Sequence, residues 1–400
     1  MFERDGRVPR NSIREKASRR INASAGIREQ ELFDLAIKDV SGLLCFRMKG
    51  KYTKGDLAAL LVDAGSREVS INQSSKDLDE IMVESNARYH LGKLRLWKLE
   101  DQINDLLLTR AKVILPTKAL KIGGDVVDIP YHGQPMKRNN EIRKGKAKSG
   151  TNTFHVYASL YVILYGRRVT LCVKYARANE PLAEILKEMV ERISEEGIGI
   201  DCLFLDRGFY SIPVINTLKS MNLSFCIMAP IKGKKGGLKR LCKGPSRREN
   251  YTMVSRKDGV VIKTSYKAYV ICKYEKGRHG KHKRNYYIYA TYKCPIPLQR
   301  IFDEYRKRFG IESSYRQMND GRARTSTRDP IRRLLFVAIG FVLLNLWVFL
   351  KWQRISIPRR GPGGRIIYEE LFSLETMFIM LSTAIGTAYC RITEIVLEVI

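Results

Sequence analysis

From Ala119 to Pro230 the sequence sets short apolar runs of strand length around two helix-patterned segments, and few folds accept that order. The run "ALKIGGDVVDIPYHG" reads as a strand. "FHVYASLYVILYG" and "RRVTLCVKYA" read as two more, joined by a tight Tyr165-Gly166 turn. "NEPLAEILKEMVERISEEG" carries a helical apolar stripe of Leu182, Ile185, Leu186, Met189, Val190 and Ile193, with Pro181 in its first turn and Gly197 at its end. "IDCLFLD" is patterned as a buried strand, "SIPVINTLKSM" as a short helix capped by Ser211, and "LSFCIMAP" as a further strand.

A three-strand meander followed by right-handed crossovers predicts an α/β fold with a ribonuclease-H-like core, a mixed five-stranded sheet with flanking helices. In that layout the first and fourth strands are central neighbours. Asp125 lies on the first and Asp206 closes the fourth. A third acid, Glu312, lies in the helix-patterned stretch "FDEYRKRFGIESSYRQ". Two acids on neighbouring strands and one from a helix suit a pair of Mg2+ ions, which take carboxylate oxygen, water and phosphate; Mn2+ is the expected substitute. Asp128 competes with Asp125 for the first position, and strand alternation puts the two on opposite faces. Tyr305, Arg308 and Glu312 share one helix face, where Arg308 can fork onto a phosphate and Tyr305 can donate its hydroxyl to another.

The charge balance agrees with a phosphate-bearing partner. Lys and Arg total 72 against 41 Asp and Glu, a formal net charge of +31. Solubility needs far less, so a polyanion is the expected partner, nucleic acid ahead of an anionic membrane surface, and the acid constellation narrows it to double-stranded DNA. Basic segments at 137–148, 232–248 and 274–284 suit backbone tracking, and Lys146 and Lys148, close in sequence to the first-acid strand, are expected near the scissile region. A solvated loop is the plain alternative for each segment. The eight cysteines include no Cys-x-x-Cys pair and mostly sit in apolar runs, which points to a reducing, cytoplasmic (nucleoid-associated) setting and away from zinc. Leu334–Leu350 is apolar but short for a bilayer span, contains Asn345 and has no second span beside it, so it is expected to be a core helix rather than a membrane segment.

The expected organisation has a basic arm at 1–20, a helical DNA-binding domain at 21–115 and the first part of the catalytic core at 116–231. A β-rich insertion at 232–296 and the second part of the core, with C-terminal helices, at 297–400 complete it. Within the helical domain, Thr53 is expected to cap a helix ending near Gly65, Ser74 and Asp77 have capping-box spacing, and Ser85 opens "SNARYHLGKLRLWKL" with Leu91, Leu94 and Trp97 in register. Three such helices fit either a helix-turn-helix module or a plain bundle, and Asn86, Arg88 and His90 can equally form a solvated face.

Tyr305, Arg308 and Glu312, spaced Tyr-x-x-Arg-x-x-x-Glu, resemble the signature of bacterial and archaeal insertion-sequence transposases of the DDE type. "DRGFYS" at Asp206 is similar to their second-acid motif, and "DVVDIPYHG" followed by "KGKAKSGTNTFHVYASLYV" resembles the first-acid region of an archaeal subgroup. The resemblance covers residues 115 to 355 and implies cut-and-paste transposition: cleavage at element ends, a hairpin intermediate, joining to target DNA, and a homodimer pairing the inverted-repeat ends. Asn319 stands where the signature expects Lys, leaving a phosphate contact to Arg316, Arg322 or Arg324, or to none. Two other readings stay open: an inactive copy that only binds DNA ends, and a general nuclease of the same fold.

Overall fold

The computed structural model describes residues 26–134, 141–164, 166–232, 236–257, 259–276, 282–307, 317–358 and 365–394. The chain divides into two compact units: one takes residues up to Leu94, Gln317–Thr325 and everything from Ile339, the other Arg95–Arg316 and Ser326–Ala338.

In the first unit, α1 (Glu29–Leu43), α2 (Lys54–Ser66), α3 (Ile71–Asp77) and α4 (Glu84–Leu91) follow one another. Thr53 caps α2 through a reciprocal capping box with Asp56, and Leu57 to Val62 of α2 are all buried. The cap of α3 is Ser70, not Ser74. Ser74 is buried within α3, and its hydroxyl donates to the Asp63 carboxylate at 2.7 Å, so residues 78–83 are not the helix its spacing suggested. The stretch after Ser85 is also not one helix. It stops at Leu91 and restarts as α5 (Leu96–Ile114), in the second unit, with Trp97 63% exposed rather than packed. His90, for which a solvated face was one of two readings, is buried and stacks on Phe46.

The second unit holds one nine-stranded sheet: β1 (Leu120–Pro130), β2 (Arg143–Lys148), β3 (Thr151–Leu164), β4 (Arg167–Tyr175), β5 (Ile200–Leu205), β6 (Phe225–Ala229), β7 (Arg247–Lys257), β8 (Val260–Lys276) and β9 (His282–Tyr292). The pairing runs β2-β3-β1-β5-β6-β9-β8-β7, and β4 also pairs with β3. Strand β1 is antiparallel to β3 and parallel to β5, and β5 is parallel to β6. This mixed sheet grows from the sequence order. Gly166, at φ +74, supplies the left-handed backbone of the β3–β4 hairpin. The crossover helix α6 (Leu182–Glu195) then buries Ala183, Ile185, Leu186, Met189, Val190 and Ile193, each large side chain contributing about 1.5–3 kcal/mol of transfer free energy. Helix α7 (Ile212–Ser220) is capped by Ser211, as expected, and links β5 to β6.

Two strands of this sheet were not legible in the sequence. Part of the basic stretch at 137–148 is β2, and "RRENYTMVSRK" is β7. Strands β7–β9 continue the sheet outward from β6, where Ala229 pairs with Ile288. Helix α8 (Leu298–Lys307) follows β9. Helix α9 (Pro330–Arg354) is 94% buried over its most apolar window, in line with a core helix. A second segment, Glu369–Ala388, is also long and apolar enough to cross a membrane; its helix α10 (Leu374–Ala388) packs on α1 and α2 in the first unit. A short hairpin of β10 (Ser356–Pro358) and β11 (Arg365–Ile367) separates α9 from α10.

Candidate active site

The parallel pairing of β1 and β5 sets the geometry. Gly124 stands opposite Leu205, and one step further the Asp206 amide donates to the Gly124 carbonyl at 3.4 Å. Asp125 and Asp206 therefore occupy matching levels of neighbouring strands, a spacing of about 4.8 Å between backbones. Both are half-buried, and one Asp125 oxygen accepts from the Val126 amide at 2.8 Å. Asp128 points to the other face; lost solvation raises its pKa, and the charges of Lys148 and Arg143 oppose that rise. Only Asp125 is level with Asp206.

Packing behind Asp125 explains the two glycines before it. A Cβ on Gly123 would stand 2.3 Å from the Tyr161 ring, and one on Gly124 2.4 Å from Leu205 Cδ2. Tyr161 is fully buried, and the Arg168 guanidinium lies 4.1 Å from its ring centre. Arg168, itself 3% exposed, donates to Ser159 Oγ at 2.6 Å and to Thr170 Oγ1 at 3.2 Å. Ser159 is the cross-strand partner of Asp125. Sequence reasoning missed this support. Its one trace was a charged residue at an inward position of "RRVTLCV", which alternation alone could have flagged.

Two polar contacts, beside the apolar packing of Ile301 and Phe302, fix helix α8 to the same sheet. Tyr305 is fully buried among Phe204 and Tyr289, and its hydroxyl donates to the Leu205 carbonyl at 2.9 Å, one residue before Asp206. That commitment corrects the expectation that Tyr305 donates to a phosphate: the hydroxyl braces the strand that carries Asp206. Next to it, the Glu304 carboxylate takes Lys307 at 2.8 Å and Lys121 of β1 at 3.0 Å. The Lys307 and Lys121 bonds hold its pKa down to about 2 against the cost of burial. Arg308 and Glu312 lie outside the described residues, as does Arg316.

Among the remaining expected contacts, Asn319 is exposed in the first unit, and its carbonyl accepts from the Arg322 amide at 3.1 Å. Lys146 and Lys148 are exposed on β2, a strand at the margin of the sheet beside β3. No group of three or more His, Cys, Asp or Glu side chains able to hold a metal is formed among the described residues. Two hard carboxylates, half-open to solvent on rigid strands, are nevertheless suitable donors for a divalent ion.

The transposase DDE domain matches residues 125–346, from Asp125 into the apolar helix α9. A search of curated proteins finds no match. Among solved structures, the chain is similar to piggyBac transposase in a cryo-EM synaptic complex with hairpin DNA, at 12% identity and a TM-score of 0.53, over 90% of this chain and 78% of that one. That likeness is one of fold. With the domain matching more than half of its length and beginning on the first of the paired acids, the chain belongs to the DDE transposase family.

Proposed function

We propose that this transposase is a cut-and-paste enzyme whose strands β4-β3-β1-β5-β6, with α6 and α7, form a ribonuclease-H-like core. The observation that carries the proposal is the level pairing of Asp125 and Asp206 on adjacent parallel strands. In this reading Asp125, Asp206 and Glu312 are the ligands of two divalent ions, Mg2+ or Mn2+. Bound there, such ions would lend Lewis acidity to an attacking water or 3′ hydroxyl and steady the leaving oxygen. The chain's own work is positioning. Gly123 and Tyr161 hold Asp125 in place, Tyr305 holds the end of β5, and the Glu304–Lys121 pair ties α8 to β1. Arg308 and the lysines of β2, Lys146 and Lys148, would grip backbone phosphates of element-end and target DNA, with the helices of residues 21–115 reading the ends and a homodimer pairing them.

The test is strand cleavage of an end-bearing duplex in Mg2+. Asp206→Asn and Glu312→Gln should bind the duplex like the parent and fail to cut it. Cutting by either variant removes that residue from the site, and cutting without regard to end sequence makes the protein a general nuclease. One observation favours a second reading: Asn319 replaces the cation the family signature expects. A parent protein that binds ends but never nicks them in Mg2+ or Mn2+ is the inactive, DNA-binding copy.

A further inference from the structure

Beyond the acid pair, a cation lies over the residue that follows β1 and has no counter-charge among the described residues. Arg333, at the start of α9, is 8% exposed, and no carboxylate lies within ion-pair distance of it among the described residues. Its side chain donates Nε to the Thr327 carbonyl at 2.6 Å and lays the guanidinium over the Tyr131 ring, 4.9 Å from the centroid. Burial lowers its pKa, with only the phenols of Tyr157, Tyr131 and Tyr175 pulling the other way. A buried guanidinium normally meets a carboxylate or another anion, because neutral partners replace lost hydration poorly. Beside it, His155 is 1% exposed and its Nε2 has no hydrogen-bond partner, while its Nδ1 contacts the Tyr175 hydroxyl at 2.8 Å. The Arg333 charge is close enough to help burial push His155 down to about 3. Among the described residues, one small region thus holds a cation without a carboxylate partner and an orphaned buried nitrogen.

The region also has a defined place relative to the acids. Ile129 pairs with His155 and Asp125 with Ser159 in an unbroken register, so His155 shares the face of Asp125. Tyr131 follows six residues after Asp125, about 20 Å along the strand and within one DNA helical turn of about 34 Å.

We propose that Arg333, seated on Tyr131 with His155 behind it, is a binding site for one backbone phosphate of the DNA held at the acid pair. The inference rests on the transposase reading above and adds a contact to it. A phosphodiester oxygen pair would supply the forked acceptor that the Arg333 guanidinium lacks. His155 would then face an anion as well as a cation.

The test measures binding of a short duplex of arbitrary sequence against salt concentration, for the full chain and for Arg333→Met and Arg333→Lys. Arg333→Met should lose about tenfold in affinity at low salt and flatten the log–log salt slope by about one. Arg333→Lys, which keeps the charge without the fork, should keep the parent slope and recover part of the affinity. Thermal melting separates this from a structural role, because the affinity loss and the flatter slope should persist at temperatures well below the melting temperature of Arg333→Met. A lowered melting temperature with parental affinity and slope overturns the inference, and if Arg333→Met fails to fold, Arg333→Lys with parental affinity does so too. Parent protein that shows no salt-dependent binding overturns the DNA reading itself; parent binding with indifferent variants overturns only the Arg333 site.

Discussion

At the scale of single residues, the site depends on what is missing as much as on what is present. Gly123 has no side chain because the Tyr161 ring occupies that space. Gly123→Ala must move a buried ring, at a cost of about 1–3 kcal/mol. Denaturant unfolding should show that loss, and strand cleavage should fall further than the stability loss explains, since Asp125 shifts with the strand. Tyr305 gives a second, discriminating case. Tyr305→Phe leaves the buried Leu205 carbonyl without its donor and should destabilise by about 1–2 kcal/mol. DNA affinity should stay at the parental value; a loss of affinity with unchanged stability would instead make the hydroxyl a phosphate contact.

At the scale of elements, α8 is held by an ion pair whose pH dependence can be read directly. The Glu304 pKa is depressed from 4.5 to about 2, so its stabilisation is present in full above pH 4.5 and fades as pH falls towards 2. Glu304→Gln should therefore cost about 1–2 kcal/mol at pH 7, after allowance for solvent screening, and progressively less below pH 4.5. A difference constant from pH 7 to pH 3 would show that packing, not charge, fixes the helix. The same scale shows which elements the sequence discloses. Helix α6 was legible because one face is buried, and α2 because Thr53 and Asp56 form its cap locally. Strand β7 was not, because as the outermost strand it alternates half-buried and exposed residues and buries none. Trp97 misled for a related reason: helical spacing records which residues can share a face, while its exposure is decided by what the other elements cover. Ser74 has cap spacing but spends its hydroxyl on Asp63, a partner eleven residues earlier that no local pattern reveals.

At the scale of the whole molecule, the pairing of Asp125 with Asp206 was foreseeable from strand order, because meander and crossover connections leave few ways to arrange five strands. The supports of that pair were hidden. In sequence Arg168 looks like an ordinary strand residue, and His155 and Arg333, of the separate site beyond β1, like ordinary strand and helix residues; all three gain meaning only from distant neighbours. The net charge of +31 makes the whole chain a cation, so DNA affinity should fall steeply between low and physiological salt, as a filter-binding titration would show. Charge alone does not cut a strand, and the account turns on the two acids. The most direct measurement is a titration of the full chain with Mn2+ followed by electron paramagnetic resonance, for the parent and for Asp125→Asn and Asp206→Asn. The account predicts bound Mn2+ in the parent and strongly weakened binding in both variants with the fold retained; parental Mn2+ binding in either variant would contradict it.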